Sequence, residues 1–299
     1  MYEYNCRKWT EMEDSKYKKG KGGHAKRDFS RKKEGDSRSR RESFKNSYEN
    51  FAEEEDTGIV CGRNAVRELI RSERSVDKIL VKSGSIEGSL TVIVAEAKKM
   101  GIPVIETAPE KLDSLAGGVN HQGVVAMASE KQYTDVEGIL AIAEERGETP
   151  LVVIADCIED PRNLGALIRC AECAGAHGII IPKRRSAGVT SLVAKSSAGA
   201  IEHMAIAKVS NLSSTVDDLK KRGLWVFASE AGATPYYEAD FNIPSAIIFG
   251  SEGAGVSRIL KEKCDFLISI PMYGKVNSLN VSTAASVILC HAARMQHTK

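Results

Sequence analysis

Hydrophobic positions divide this chain into a polar beginning and two patterned regions. From Met1 to about Asp56, aliphatic residues are almost absent and Lys, Arg, Ser and Glu dominate. Such a stretch cannot bury enough apolar surface to offset the entropy of ordering it, so residues 1–56 are predicted to be a disordered arm. In residues 57–130, Val66, Leu69 and Ile70 recur at helical spacing after Gly62. Val76–Val81 reads as a strand, Leu90–Met100 as a helix stopped by Gly101, and Val104–Ile105 and Val124–Ala128 as further strands. This alternation predicts a small α/β domain. Residues 131–149 read as a linker holding a helix within Gln132–Glu148, punctuated by Gly147 and Pro150.

Residues 150–299 carry the longer pattern. Apolar runs at Leu151–Ala155, Gly178–Ile181, Leu224–Ala228, Ala246–Phe249 and Phe266–Ile270 are bounded by turn residues. Continuous apolar runs of that length suit strands of a parallel sheet buried on both faces. Helices are predicted at Leu164–Ala174, Leu212–Arg222, Arg258–Cys264 and Val281–Met295. The fold class is therefore α/β throughout.

Composition refines this picture. Aromatic residues are 6% of the chain, so the cores must rest on Ile, Val, Leu and Ala. The net charge of +2 hides an asymmetry: the first fifty residues are clearly basic and the remainder mildly acidic. Lys16–Lys33, with Tyr17 and Phe29 interspersed, suits non-specific contact with phosphate backbones. No apolar run approaches the roughly 20 residues that span a bilayer. The N-terminus has no apolar core of a signal peptide, and a cytoplasmic location is expected. Cysteines are odd in number and irregularly spaced. Cys170 and Cys173 form a lone C-x-x-C followed by His177; with no second pair to complete a zinc site, they read as small apolar residues of a helix, and no metal is expected.

Three clusters follow strands of the larger region. The first is Asp160-Pro161-Arg162-Asn163, continuing through Arg169. Asp160 before Pro161 suits a helix N-cap with Pro in the first turn. Asn163 and Arg169 stand out as polar residues in a small, apolar segment. The second is Phe249-Gly250-Ser251-Glu252-Gly253-Ala254-Gly255. Glycines between a strand and a helix let a ligand approach the backbone. Their order, G-x-x-G-x-G, and their place late in the chain disfavour a dinucleotide fingerprint. The third is Ile270-Pro271-Met272, then Asn277-Ser278-Leu279-Asn280, where Ser278 or Asn280 suits an N-cap.

In order and spacing these clusters resemble the three motifs of the SpoU, or TrmH, family of RNA 2′-O-ribose methyltransferases. Lys195–His203 resembles the stretch between them. Gly62-Arg63-Asn64-Ala65-Val66 and His121-Gln122-Gly123-Val124 are similar to the family's RNA-binding domain, which is related to a ribosomal-protein fold. The closest subgroup methylates a guanosine ribose of 23S ribosomal RNA. The resemblance implies a SPOUT domain with a deep trefoil knot, homodimerisation through that knot, and S-adenosylmethionine as methyl donor. It implies cofactor contacts from Phe249, Gly250, Ile270, Met272, Leu279 and Asn280. It implies catalytic roles for Asn163, Arg169, Glu252, Ser278 and Asn280, and RNA contacts from Arg63, Asn64, His121 and Gln122. The same chemistry on tRNA or an antibiotic-site rRNA nucleotide, and a non-catalytic RNA-binding assembly factor, are the alternatives.

Overall fold

The structure, a computed structural model, describes residues 58–84 and 87–297. The basic arm expected over residues 1–56 lies outside the described residues. The smaller domain runs β1 (Ile59–Cys61), α1 (Arg63–Arg71), β2 (Val76–Lys82), α2 (Ser89–Lys99), β3 (Val104–Thr107), α3 (Pro109–Ala116) and β4 (Val124–Ala128). Its sheet has the order β1-β4-β2-β3, with β4 antiparallel to β1 and β2, and β2 parallel to β3. Side chains alternate across a strand. Ile79, Val81, Val124 and Ala126 accordingly enter the core with Val66, Leu69 and Ile93 of α1 and α2. Leu80 and Val125 point the other way, to Leu112 and Ala116 of α3.

The larger domain runs α4 (Val136–Arg146), β5 (Leu151–Asp156), α5 (Pro161–Cys173), β6 (Gly178–Pro182), α6 (Ser191–Ser196), β7 (Ile206–Val209), α7 (Leu212–Lys221), β8 (Trp225–Pro235), β9 (Ser245–Gly250), α8 (Arg258–Lys263), β10 (Phe266–Ser269) and α9 (Val281–His297). Its six strands are all parallel, in the order β10-β8-β9-β5-β6-β7. Helices cover both faces. Leu151, Val153 and Ala155 of β5 pack with Leu167 and Ile168 of α5 and Ile288 and Leu289 of α9. Val152 and Ile154 face Ile139, Val216 and Leu260 of α4, α7 and α8. The helix expected within Gln132–Glu148 is thus α4, seated on this sheet.

Three features go beyond the pattern of the sequence. Strand β7 carries Lys208 in a four-residue run at the sheet edge, where period and apolarity give little signal. Helix α6 is short and opens at a Thr190 cap. Strand β8 continues past Ala228 to Pro235, and its pairing with β10 jumps from Leu267↔Ala228 to Ile268↔Thr234. Residues 229–233 bulge out of the ladder there.

The domains meet where Lys195–His203 packs on α1. Gly199, at φ +92°, lies beneath the helix: a Cβ there would come within 2.6 Å of Glu68 Cβ. Arg74 and Glu202 form an ion pair of 3.1 Å across the seam, with side chains 8% and 1% exposed. Lys131 Nζ donates to the Glu202 carbonyl, and His203 Nε2 meets Glu68 Oε2. Among the described residues, no helix is long and apolar enough to cross a membrane.

Candidate functional site

In a parallel sheet with a change of winding direction, loops at the strands' carboxyl ends diverge and leave a crevice. Here β6 lies on one side of β5 and β9 on the other. The loops after β5, β9 and β10 hold the three sequence clusters. Those after β9 and β10, with the bulge of β8, enclose a cleft of about 700 Å³.

The loop after β9 folds back on itself. Ser251 and Gly255 form an isolated antiparallel bridge, and Gly255 N donates to Ser251 O at 2.9 Å. A Cβ on Gly250 would lie 2.0 Å from the Gly255 carbonyl carbon, so only glycine allows this approach. The far end is tied to β5: Asp156, 4% exposed, accepts from Ser257 N at 2.7 Å.

Asn280 decides the polar geometry. Its Oδ1 accepts from Ser282 N at 2.9 Å and Ser282 Oγ at 2.6 Å, and its carbonyl accepts from Ala284 N. It is therefore the N-cap of α9. With Oδ1 so engaged, Nδ2 must face the other way, where it donates to Asn163 Oδ1 at 3.1 Å and to Glu252 Oε1 at 2.5 Å. One amide gathers all three clusters. Asn163 sits in the first turn of α5, behind the Asp160 N-cap, whose Oδ1 accepts from Arg162 N at 2.7 Å. Because Asn163 turns its Oδ1 to Asn280, its own amide N–H groups point elsewhere and can meet a substrate oxygen.

Phe249, Gly250, Ile270, Met272, Leu279 and Asn280 all line the cleft, as do Glu252 and Ser278. Apolar side chains and backbone groups at strand ends are what the faces and edges of a purine nucleoside require. Arg169 is not brought there. It is exposed on α5, six residues beyond Asn163, about 9 Å along the helix and on another flank. Sequence reasoning missed Ser229, Glu230 and Ala231 of the β8 bulge, which also line the cleft, as does Asn277 of the third cluster, to which no role was given. Glu230 pairs with Lys261 of α8 at 2.8 Å. The available signal was the switch from apolar Trp225–Ala228 to Ser229-Glu230-Ala231-Gly232.

In the smaller domain, Gln122 takes a left-handed φ of +54° and locks its turn to α1. Its Oε1 accepts from Arg63 N at 3.0 Å and its carbonyl from Arg63 Nε at 3.1 Å. His121 Nδ1 accepts from Gly123 N, so Nε2 carries the proton and donates to Asp113 at 3.0 Å. Asn64 is exposed on α1. Arg63 also borders a hollow of about 370 Å³ with Lys82 and Glu87.

Cys170 and Cys173 both lie on α5; the Cys170 thiol is 3.1 Å from Ser286 Oγ of α9, and Cys173 is exposed. Among the described residues, no three His, Cys, Asp or Glu side chains converge as a metal site.

Known proteins match both domains. Residues 150–290 match the SpoU rRNA Methylase family, and residues 59–134 match the RNA 2′-O ribose methyltransferase substrate-binding family. YacO of Bacillus subtilis (strain 168), assigned to the TrmH family of tRNA/rRNA methyltransferases, is 44% identical over 239 residues, 80% of this chain and 96% of its own. The SpoU methyltransferase AviRb of Streptomyces viridochromogenes superposes with a TM-score of 0.66 at 26% identity, over 80% of this chain and 89% of its own. Its complex with AdoMet gives a TM-score of 0.66 at 24% identity, covering 81% and 91%. With three motifs joined at Asn280 and a full-length relative this similar, the chain belongs to the SpoU, or TrmH, family of RNA methyltransferases.

Proposed function

We propose that this protein transfers the methyl group of S-adenosylmethionine to the 2′-oxygen of a ribose, that of a guanosine in 23S rRNA. It does so in the cytoplasm, as a homodimer formed through a trefoil-knotted domain. The observation that carries the reading is the Asn280 amide, which joins Asn163 and Glu252 at the mouth of a cleft with apolar walls. The substrate-binding family matched by residues 59–134 supports a ribose 2′-oxygen as acceptor. The resemblance to the 23S guanosine subgroup supports the target, and the AdoMet complex of AviRb supports the donor.

S-adenosylmethionine, when bound, supplies an electrophilic methyl, so the protein's work is largely positioning. Phe249, Ile270, Met272 and Leu279 would enclose the cofactor, and the backbone of Gly250, Ile270 and Leu279 would meet its polar edges. Glu252 holds the Asn280 amide and, through it, Asn163, which would donate to the ribose. Ser278, beside them in the cleft, would complete the oxygen's surroundings. Arg169 presents a planar guanidinium with five donors and no acceptor, which suits an anion rather than proton abstraction. We assign it to holding an RNA phosphate or stabilising the developing alkoxide in the dimer. Exposed apolar residues on the loop before α9, Tyr273 (92%) and Val276 (70%), support an interface there.

The test is transfer of labelled methyl to unmodified 23S rRNA, followed by nuclease mapping. Label on a guanosine 2′-oxygen is the expected result. Label only on tRNA would overturn the target, and label on no RNA would overturn the activity.

A further inference from the structure

Three neighbouring strands of the large sheet, β9, β5 and β6, deliver their carboxyl-end loops side by side. The first two hold Glu252 and Asn163. The third, Lys183-Arg184-Arg185-Ser186, plays no part in the site described above. All three of its cations are exposed. Among the described residues, none of these three side chains enters a hydrogen bond or ion pair, whereas Arg67, Arg71, Arg74, Arg222 and Arg258 are each held by carboxylates.

The loop is built, not loose. Lys183 N donates to Val209 O at 2.8 Å. Ala187 N donates to Ile158 O at 2.9 Å, and Ser186 Oγ to the same oxygen at 3.4 Å. Ile158 belongs to the short connection that runs from β5 into α5 and Asn163, so the basic loop is anchored to the segment that positions Asn163. Arg185 has a left-handed φ of +58°, and Cys157, the residue before Ile158, has +56°. Non-glycine residues persist in that conformation only where the surroundings impose it. Burial pushes the Cys157 thiol up, and the charge of Arg185 opposes that rise. The acids of this connection are Asp156, Glu159 and Asp160; Asp156 accepts from Ser257 N, and Asp160 is engaged as the cap of α5.

We propose that Lys183, Arg184 and Arg185 form a phosphate clamp that seats the RNA strand next to the nucleotide being methylated. Adjacent strands lie about 4.8 Å apart, so the clamp stands on the order of 10 Å from the β9 loop. That distance suits a backbone phosphate flanking a ribose held at Asn163. Two arginines favour phosphate because their forks match its oxygens in pairs. This proposal rests on the reading of the chain as an RNA methyltransferase, and it adds a binding surface outside the cofactor cleft.

The test compares the full chain with the triple variant Lys183→Gln/Arg184→Gln/Arg185→Gln. Binding to unmodified 23S rRNA transcript is followed by filter retention across a salt series, without S-adenosylmethionine. The variant is expected to bind at least tenfold more weakly, with a log–log salt slope shallower by about 2 for three lost contacts to a single strand. Its KM for RNA should rise in step while kcat at saturation and S-adenosylmethionine affinity by calorimetry stay within twofold. An unchanged salt slope and KM would overturn the clamp while leaving the methyltransferase reading intact. A wild-type chain that binds RNA through this loop but transfers no methyl would overturn that reading and keep the clamp. If the triple variant does not fold, Arg184→Gln alone should flatten the slope by roughly 0.7, and no change there overturns the clamp equally.

Discussion

Replacing Asn280 with Asp separates two jobs held by one side chain. Its Oδ1 caps α9 and its Nδ2 joins Asn163 to Glu252. Asp caps as well as Asn, so the helix should keep its start, whereas Ala forfeits about 1 kcal/mol of capping. The bridge fares differently. A carboxylate cannot donate, and a hydrogen bond to a charged partner contributes about 1.5–3 kcal/mol. The introduced carboxylate would also face Glu252, at a repulsion between about 1 kcal/mol in water and about 4 kcal/mol near a protein surface. Glu252 sits on an exposed loop and can swing away, so the damage falls on site geometry more than on stability. Misplacement worth about 3 kcal/mol in the transition state slows transfer roughly a hundredfold. Single-turnover transfer and thermal melting of both variants make the check. Asn280→Asp should lose about two orders of magnitude in rate at nearly wild-type Tm, and Asn280→Ala should lose rate and about 2–4 °C. An Asn280→Asp enzyme retaining half its rate would refute the bridge, and an Asn280→Ala Tm equal to wild type would refute the cap.

Gly250→Ala should weaken S-adenosylmethionine binding at least tenfold by calorimetry, because its Cβ has no space against Gly255. Arg169→Ala should abolish transfer while leaving cofactor affinity unchanged; full activity would remove Arg169 from the reaction. Glu202→Ala, which breaks the buried ion pair with Arg74, should destabilise the protein by about 3 kcal/mol, read as a lower urea midpoint. His177 is held below its ordinary pKa of 6.5 first by burial, with the hydrogen bond to Glu148 opposing. The folded state therefore resists protonation that the unfolded chain accepts. Stability is complete above pH 6.5 and declines as pH falls from there towards the folded value. His177→Gln should flatten that part of a stability–pH curve, and an unaltered curve would contradict the assignment.

Most of the larger domain was legible because its strands are buried on both faces. Leu151–Asp156 and Ser245–Gly250 announce themselves as unbroken apolar runs. Edge strand β7, with Lys208 in only four residues, lacks that signature, and a bulge such as residues 229–233 of β8 depends on a partner strand that periodicity cannot see. Asn163, Glu252 and Asn280 were identifiable by type and motif, but their convergence was not, because 117 residues separate Asn163 from Asn280. Either Ser278 or Asn280 fitted the cap of α9; hydrogen-bond geometry selects Asn280. Arg169 shared its motif with Asn163, yet helical rotation turns it to another flank.

The seam at Gly199 bears on how such enzymes can be recombined. The small domain ends in sequence before the catalytic sheet begins, which suggests a part that could be exchanged freely for a relative's. Its seat, however, is written inside the catalytic domain, at Lys195–His203, with Glu202 reaching back to Arg74 and His203 to Glu68. A chimera cut at the apparent boundary would inherit one half of this joint from each parent. Retargeting the enzyme to another RNA by domain grafting thus requires moving two separated segments together, the domain and its socket.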